Sequence, residues 1–272
     1  MYDFEYHRAG TVDDTLKLRK SLDEVYFLAG GMSLLPMMKL RFAKTDHIVD
    51  LRDLDELRAI SVEYETVSIG AMTRHADVAD SVEVRAAIPA LAALAGGIGD
   101  PMVRARGTMG GSIANADPAA CYPAACIALG ATINTTGGDI EADDFFQGVF
   151  ETALGEGELV TGAQFPVPDS AAYTKFRHPA SRFALAGVFV ARFGEFVRVG
   201  VTGAGQSGAY RWVEAEKALT EEFSVKAFDG LKADASEMNS DIHGDREYRA
   251  HLVEVMTRRA VLEIQAGMVE PD

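Results

Sequence analysis

Two glycine pairs about eighty residues apart carry most of the chemistry that can be read from this chain. Gly30 and Gly31 lie in Phe27-Leu28-Ala29-Gly30-Gly31-Met32-Ser33-Leu34. Gly110 and Gly111 lie in Arg106-Gly107-Thr108-Met109-Gly110-Gly111-Ser112-Ile113-Ala114-Asn115. Glycine takes backbone angles closed to other residues and lets the main chain approach a ligand. A pair of such turns offers clustered N–H donors to an anion, best a pyrophosphate. Thr108, Ser112 and Asn115 add side-chain donors and acceptors, and Arg104 and Arg106 stand just upstream. Those arginines read equally as phosphate neutralisers and as surface charges. Taken alone, each Gly-Gly is an ordinary turn. The first gains weight because a strand end and a Ser33-capped helix aim free amides and a helix dipole at one spot. The spacing of this pair does not match the dinucleotide fingerprint G-x-G-x-x-G, and the chain has no G-x-x-x-x-G-K-[ST], which disfavours a P-loop.

The bulk numbers narrow the function further. A chain of 272 residues suits two or three domains. A net charge of −15 opposes nucleic-acid binding and leaves any anionic cofactor to local donors. No apolar run reaches the roughly 20 residues of a membrane span, and the N-terminus lacks a secretion-signal pattern, so a cytoplasmic protein is expected. Cys121 and Cys126 cannot supply the four ligands of an iron–sulfur or structural zinc site. The six histidines show no metal spacing. His7, His47, His243 and His251 read as surface or packing residues, and His75 and His178 lie in motif segments. No metal site and no catalytic acid or base is expected, which fits a protein whose cofactor does the chemistry.

Those loops need elements to hold them. Thr11 opens a helix to about Lys20. Val25 to Ala29 reads as a strand, Ser33 to Leu40 as a helix and His47 to Leu51 as a strand, a compact β–α–β unit. Ile60 to Ile69 suggests two strands, and Thr73 to Asp80 and Val84 to Ala95 two helices. Gly96 to Pro101 is a loop. Pro118 to Leu129 reads as helix, Ala131 to Ile140 as a hairpin, Asp143 to Val149 as a short helix or turn, and Glu158 to Phe165 as a strand. Pro166-Val167-Pro168-Asp169 is the best domain boundary. Strands at Tyr173 to Arg177, Ala186 to Arg192 and Phe196 to Ala204 follow, then a helical region from Trp212 to Ala266 with a polar stretch at Asp234 to Glu247. The expected domains are residues 1–56, 57–168 and 169–272.

Three segments carry a resemblance. Ala29-Gly30-Gly31-Met32-Ser33-Leu34-Leu35-Pro36-Met37-Met38-Lys39-Leu40-Arg41 resembles AGGxSLLPxxKLR. Ile98 to Ala120 resembles IGDxxVRNxGTxGGSxAxADPAAD, and Phe176 to Ala184 matches near the start of the last domain. The chain is similar over its whole length to the FAD-binding medium subunits of molybdenum hydroxylases, of carbon monoxide dehydrogenase and xanthine dehydrogenase type. The resemblance implies an α+β fold: a two-subdomain α/β FAD-binding cradle, then a C-terminal domain of a small antiparallel sheet plus helices. It places Ala29, Gly30, Gly31, Met32, Ser33 and Leu34 with Thr108, Gly110, Gly111 and Ser112 around the FAD pyrophosphate. Asn115 stands near the ribityl chain, Leu159 and Val160 near the isoalloxazine, and Arg177 where relatives often place a basic residue. Phe183 stands where a tyrosine often shields one flavin face, or is ordinary core.

Cys121 departs from the pattern, for relatives often carry aspartate there. A thiol is a poor acceptor, so weaker FAD binding is expected, with Asp117 a substitute acceptor if both share a helix face. The resemblance implies electron transfer from [2Fe-2S] clusters of a small iron–sulfur subunit, through FAD in this chain, to an external acceptor. The substrate would be oxidised on a large molybdopterin-binding subunit, in a dimer of heterotrimers whose contacts leave an apolar patch on the isolated chain. An assembly subunit that has lost its flavin and a stand-alone flavin oxidase are the alternatives.

Overall fold

The computed structural model describes residues 1–267. It opens with a three-stranded parallel sheet built from β1 (Glu5–Arg8), β2 (Val25–Leu28) and β3 (His47–Asp50), in the order β1-β3-β2. Two helices make the crossovers, α1 (Val12–Ser21) and α2 (Leu34–Lys39). Thr11 caps α1, its hydroxyl accepting from the Asp14 amide at 3.1 Å. Asp13 and Asp14 in the first turn and Arg19 and Lys20 in the last complement the helix dipole. The expected β–α–β unit is present, but β1 is an addition: its residues are mostly exposed and carry no apolar alternation. Ser33 stands before α2 as expected, yet its side chain does not cap. Its backbone is already helical, whereas side-chain capping uses an extended residue.

The second unit is a five-stranded antiparallel sheet. In chain order it comprises β4 (Ile60–Glu63), β5 (Thr66–Gly70), β6 (Thr132–Thr135) and β7 (Gly138–Glu141). A small ribbon, β8 (Phe146–Gly148) with β9 (Glu151–Thr152), precedes the fifth strand, β10 (Val160–Pro166). The sheet order is β4-β5-β10-β6-β7. Helices α3 (His75–Asp80), α4 (Val82–Ala87), α5 (Pro89–Gly96), α6 (Pro101–Arg104), α7 (Met109–Asn115) and α8 (Tyr122–Leu129) fill the long connection between β5 and β6. The helix expected at Val84 to Ala95 is broken at Ile88, because a residue before proline is driven out of the helical region. The helix expected from Pro118 begins only at Tyr122. Ala116 is left-handed at φ 43°, and the Asp117 carboxylate accepts from the Ala119 amide at 2.8 Å, fixing a turn first. The short helix expected near Asp143 is α9 (Ala142–Phe145).

The last unit is a four-stranded antiparallel sheet, ordered β11 (Ser170–Arg177), β12 (Ala184–Phe193), β13 (Phe196–Thr202) and β14 (Tyr210–Arg211). Helices α10 (Val213–Glu221) and α11 (Arg246–Gly267) pack on it around Trp212, Phe228, Leu252, Val253 and Val261. The opposite face of β12 gives Phe189 and Ala191 to the core that holds α8, every residue of which is buried. The polar stretch at Asp234 to Glu247 is tied down by Arg249, buried and bonded to the Leu185 and Gly203 carbonyls and to Asp241. Mixed α and β units in this arrangement are the expected α+β class.

Candidate functional site

Both glycine loops follow a strand or turn and open a helix, and the fold brings them into contact. A Cβ placed on Gly30 would lie 2.2 Å from the Arg106 carbonyl oxygen and 2.7 Å from Gly107 Cα. Real Cβ atoms do not approach backbone that closely, so only glycine allows the two loops to touch. Gly31, at φ 73°, makes the left-handed step that turns the chain from β2 into α2. Ala29 in turn approaches Gly111 across the same junction.

The loops differ in what they offer a ligand. Among the described residues, the amides of Gly30, Gly31, Met32 and Ser33 donate to no protein acceptor. The second loop spends its amides internally. Met109 donates to the Thr73 carbonyl, Gly110 to the Ala71 carbonyl, Gly111 to Thr108 Oγ1 and Ser112 to the Thr108 carbonyl. The expectation that both turns offer amide donors therefore holds for the first turn and not for the second. The first loop is the nest, and the second offers the hydroxyl proton of Thr108 and the side chains of Ser112 and Asn115.

One cleft of about 700 Å³ runs between the loops and on to the last sheet. It is lined by every expected site residue but one: Ala29, Gly30, Gly31, Met32, Ser33, Leu34, Thr108, Gly110, Gly111, Ser112, Asn115, Cys121, Leu159, Val160 and Phe183. Leu159 and Val160 are buried in its wall, whereas Phe183 stands 52% exposed at its rim. Arg177 is the exception: it is exposed, lies against Gly97 outside the cleft, and follows a register shift between β11 and β12. Lys175, two residues earlier on β11, lines the cleft. Arg104 and Arg106 also lie outside; Arg104 donates to the Ile98 carbonyl at 2.9 Å and Arg106 is exposed.

Lys175 Nζ donates to the Gly97 carbonyl at 2.9 Å and sits 3.4 Å from Cys121 Sγ. No carboxylate pairs with it among the described residues, so its charge is available to an anionic or electron-rich ligand. Asp117 lines the cleft too, but it precedes α8, so it does not share a helix face with Cys121. Cys121 and Cys126 are both free and buried, and burial pushes the Cys126 thiol up.

His75 is the cleft residue the sequence did not single out for a role. It is 5% exposed, lines the cleft, and its Nδ1 has no partner. Burial, helped by the nearby Arg104 charge, lowers its pKa to about 4, so the ring is neutral at physiological pH. Its amide donates to the Gly107 carbonyl at 2.9 Å, and Arg74 bridges Thr108, so α3 anchors the second loop. A histidine directly after an arginine, in a helix start with no metal spacing, gives no sequence signal for this.

Known proteins share this construction. Residues 2–168 match the family model described as the FAD binding domain in molybdopterin dehydrogenase. The chain is 36% identical to the glyceraldehyde dehydrogenase medium chain of Sulfolobus acidocaldarius, over 96% of this chain and 98% of the relative. It is 36% identical to the carbon monoxide dehydrogenase medium chain of Hydrogenophaga pseudoflava, over 95% and 96%. In structure it superposes on a chain of reconstituted carbon monoxide dehydrogenase from Oligotropha carboxidovorans with a TM-score of 0.89 at 34% identity, over 97% of this chain and 98% of that one. The chain belongs to the FAD-binding medium subunits of the molybdenum hydroxylase family.

Proposed function

We propose that this chain is the electron-transfer subunit of a cytoplasmic molybdenum hydroxylase, joined to a large molybdopterin-binding subunit and a small iron–sulfur subunit in a dimer of heterotrimers. The observation that carries the reading is the contact of two glycine loops at the head of one cleft, with four amides of the first loop unspent. When bound, FAD supplies the redox chemistry, taking electrons from the small subunit's [2Fe-2S] clusters and giving them to an external acceptor.

The residues present suit that nucleotide. The amides of Gly30 to Ser33 would hold the pyrophosphate, with Thr108 and Ser112 hydroxyls beside it. Asn115 and Asp117 offer polar atoms to the ribityl hydroxyls. Leu159, Val160 and Met72 give an apolar wall that excludes water from the ring, and Phe183 covers the rim. Lys175 and Arg182 supply positive charge that a chain of net charge −15 otherwise lacks here. Beyond the first loop, Met37, Leu40 and Phe42 are exposed, Phe42 at 79%, as a surface covered by a partner subunit would be.

The test is a visible spectrum of the purified chain with added FAD, followed by reduction by its small iron–sulfur subunit. Bound flavin that bleaches on mixing supports the relay. A colourless protein that ignores FAD leaves the assembly-subunit reading.

Cys121 gives a graded check of the same site. In Cys121→Asp, a carboxylate would stand where the sulfur lies 3.4 Å from Lys175 Nζ. It would accept from ribityl hydroxyls while the ammonium offsets its burial. One added hydrogen bond contributes about 0.5–1.5 kcal/mol, so FAD should bind up to about tenfold tighter. A dissociation constant that stays put or rises removes Cys121 from the binding set.

A further inference from the structure

The N-terminal sheet brings together three metal-ligating side chains that are far apart in sequence. Parallel pairing sets Glu5 of β1 opposite His47 of β3. His7, two residues along β1, projects from the same face. His7 Nε2 lies 3.2 Å from His47 Nδ1. A Glu5 carboxylate oxygen lies 3.9 Å from the first and 3.6 Å from the second. Among the described residues, no other group of three such side chains converges this way. None of the three lines the nucleotide cleft.

We propose that Glu5, His7 and His47 form a binding site for one divalent zinc-class cation. Tetrahedral zinc, with bonds of about 2.0–2.2 Å, sets its ligand atoms about 3.3 Å apart. The imidazole pair is already at that spacing. Glu5 needs to close by a few tenths of an ångström, and its 75% exposed side chain is free to do so. The two imidazoles are about four-fifths buried, which preorganises their nitrogens. The two ring nitrogens face each other at 3.2 Å, and a cation between them would accept a lone pair from each. A carboxylate and two imidazoles match the borderline character of zinc better than that of magnesium or calcium. The fourth position opens to solvent past Glu5 and would hold water. Bound there, the cation would clip the exposed β1 to β3, the central strand of the sheet whose other neighbour, β2, leads into Gly30.

The test uses the full chain without an affinity tag, stripped with chelator and titrated with zinc chloride in a calorimeter. One equivalent should bind with micromolar or tighter affinity. His47→Asn should weaken it by at least about tenfold, since one of three protein ligands is lost. Substituting cobalt should give the intense visible bands of a tetrahedral site. Glu5→Gln is the safeguard: Glu5 is exposed, so folding is spared, and zinc affinity should still fall. FAD binding should be unchanged in both variants, so a failure here is distinct from a failure of the flavin reading. No zinc uptake, or uptake that His47→Asn and Glu5→Gln leave intact, overturns the proposal.

Discussion

Gly30→Ala binds FAD about 10- to 100-fold more weakly than the natural chain while remaining folded. The new methyl group would be placed 2.2 Å from the Arg106 carbonyl oxygen and 2.7 Å from Gly107 Cα. Both neighbours are backbone, so neither can swing aside as a side-chain tip would. The second loop is itself fixed, through the Met109 and Gly110 amides and through His75. The strain is therefore relieved by parting the loops, at a cost of about 1–3 kcal/mol, the usual penalty for overpacking. That cost falls on the bound state, because the free amides of the first loop move away from the Thr108 and Ser112 hydroxyls. Gly10→Ala is the matched control, since a Cβ there meets nothing within 4 Å. Flavin fluorescence on titration reads both. Equal affinity for the Gly30 variant and the control would falsify the contact as the basis of the site.

How much of this could be read beforehand differs from element to element. The strand, the glycine pair and the helix around residues 25–40 were legible, because a β-prone run, two glycines and a helix start fall within one short window. The break at Ile88 was legible in principle, since Pro89 announces it, but the alanine-rich pattern masked it. For positive charge near the ligand the sequence offers Arg177, and Arg104 and Arg106 read equally as surface charges, whereas Lys175 lines the cleft and none of the three arginines does. Strand alternation gives Lys175 and Arg177 the same face, and only the register shift between Phe176 and Arg177 separates them. Such a shift depends on how β12 pairs, which no local window contains. The meeting of His7 and His47 is hidden for the same reason. Residues forty apart become neighbours through parallel register, and ligand-spacing rules apply only within one segment. Lone residues whose role comes from long-range pairing leave no pattern, whereas loops built from consecutive residues do.

Acid should loosen the same cleft through His75. An imidazole in the unfolded chain takes its proton near pH 6.5, and the buried folded one only near pH 4. Between those values the unfolded state holds one proton more, so stability is full above about pH 6.5 and drains as pH falls toward 4. Going from pH 7 to pH 5 should cost about 2 kcal/mol through this residue alone. Protonation in place would put a charge beside Arg104 with no acceptor for Nδ1, so the ring must reach water. Its backbone carries the bond to the Gly107 carbonyl, and the bridge from Arg74 to Thr108 is adjacent. Exposure of the ring therefore pulls on the second glycine loop, and FAD should leave over the same pH range. His75→Gln cannot take up the proton. Urea midpoints at both pH values should show a smaller acid loss in that variant, by about 2 kcal/mol, while other titrating groups cancel in the comparison. If the variant and the natural chain lose stability equally, His75 is an inert wall residue and the acid sensitivity lies elsewhere.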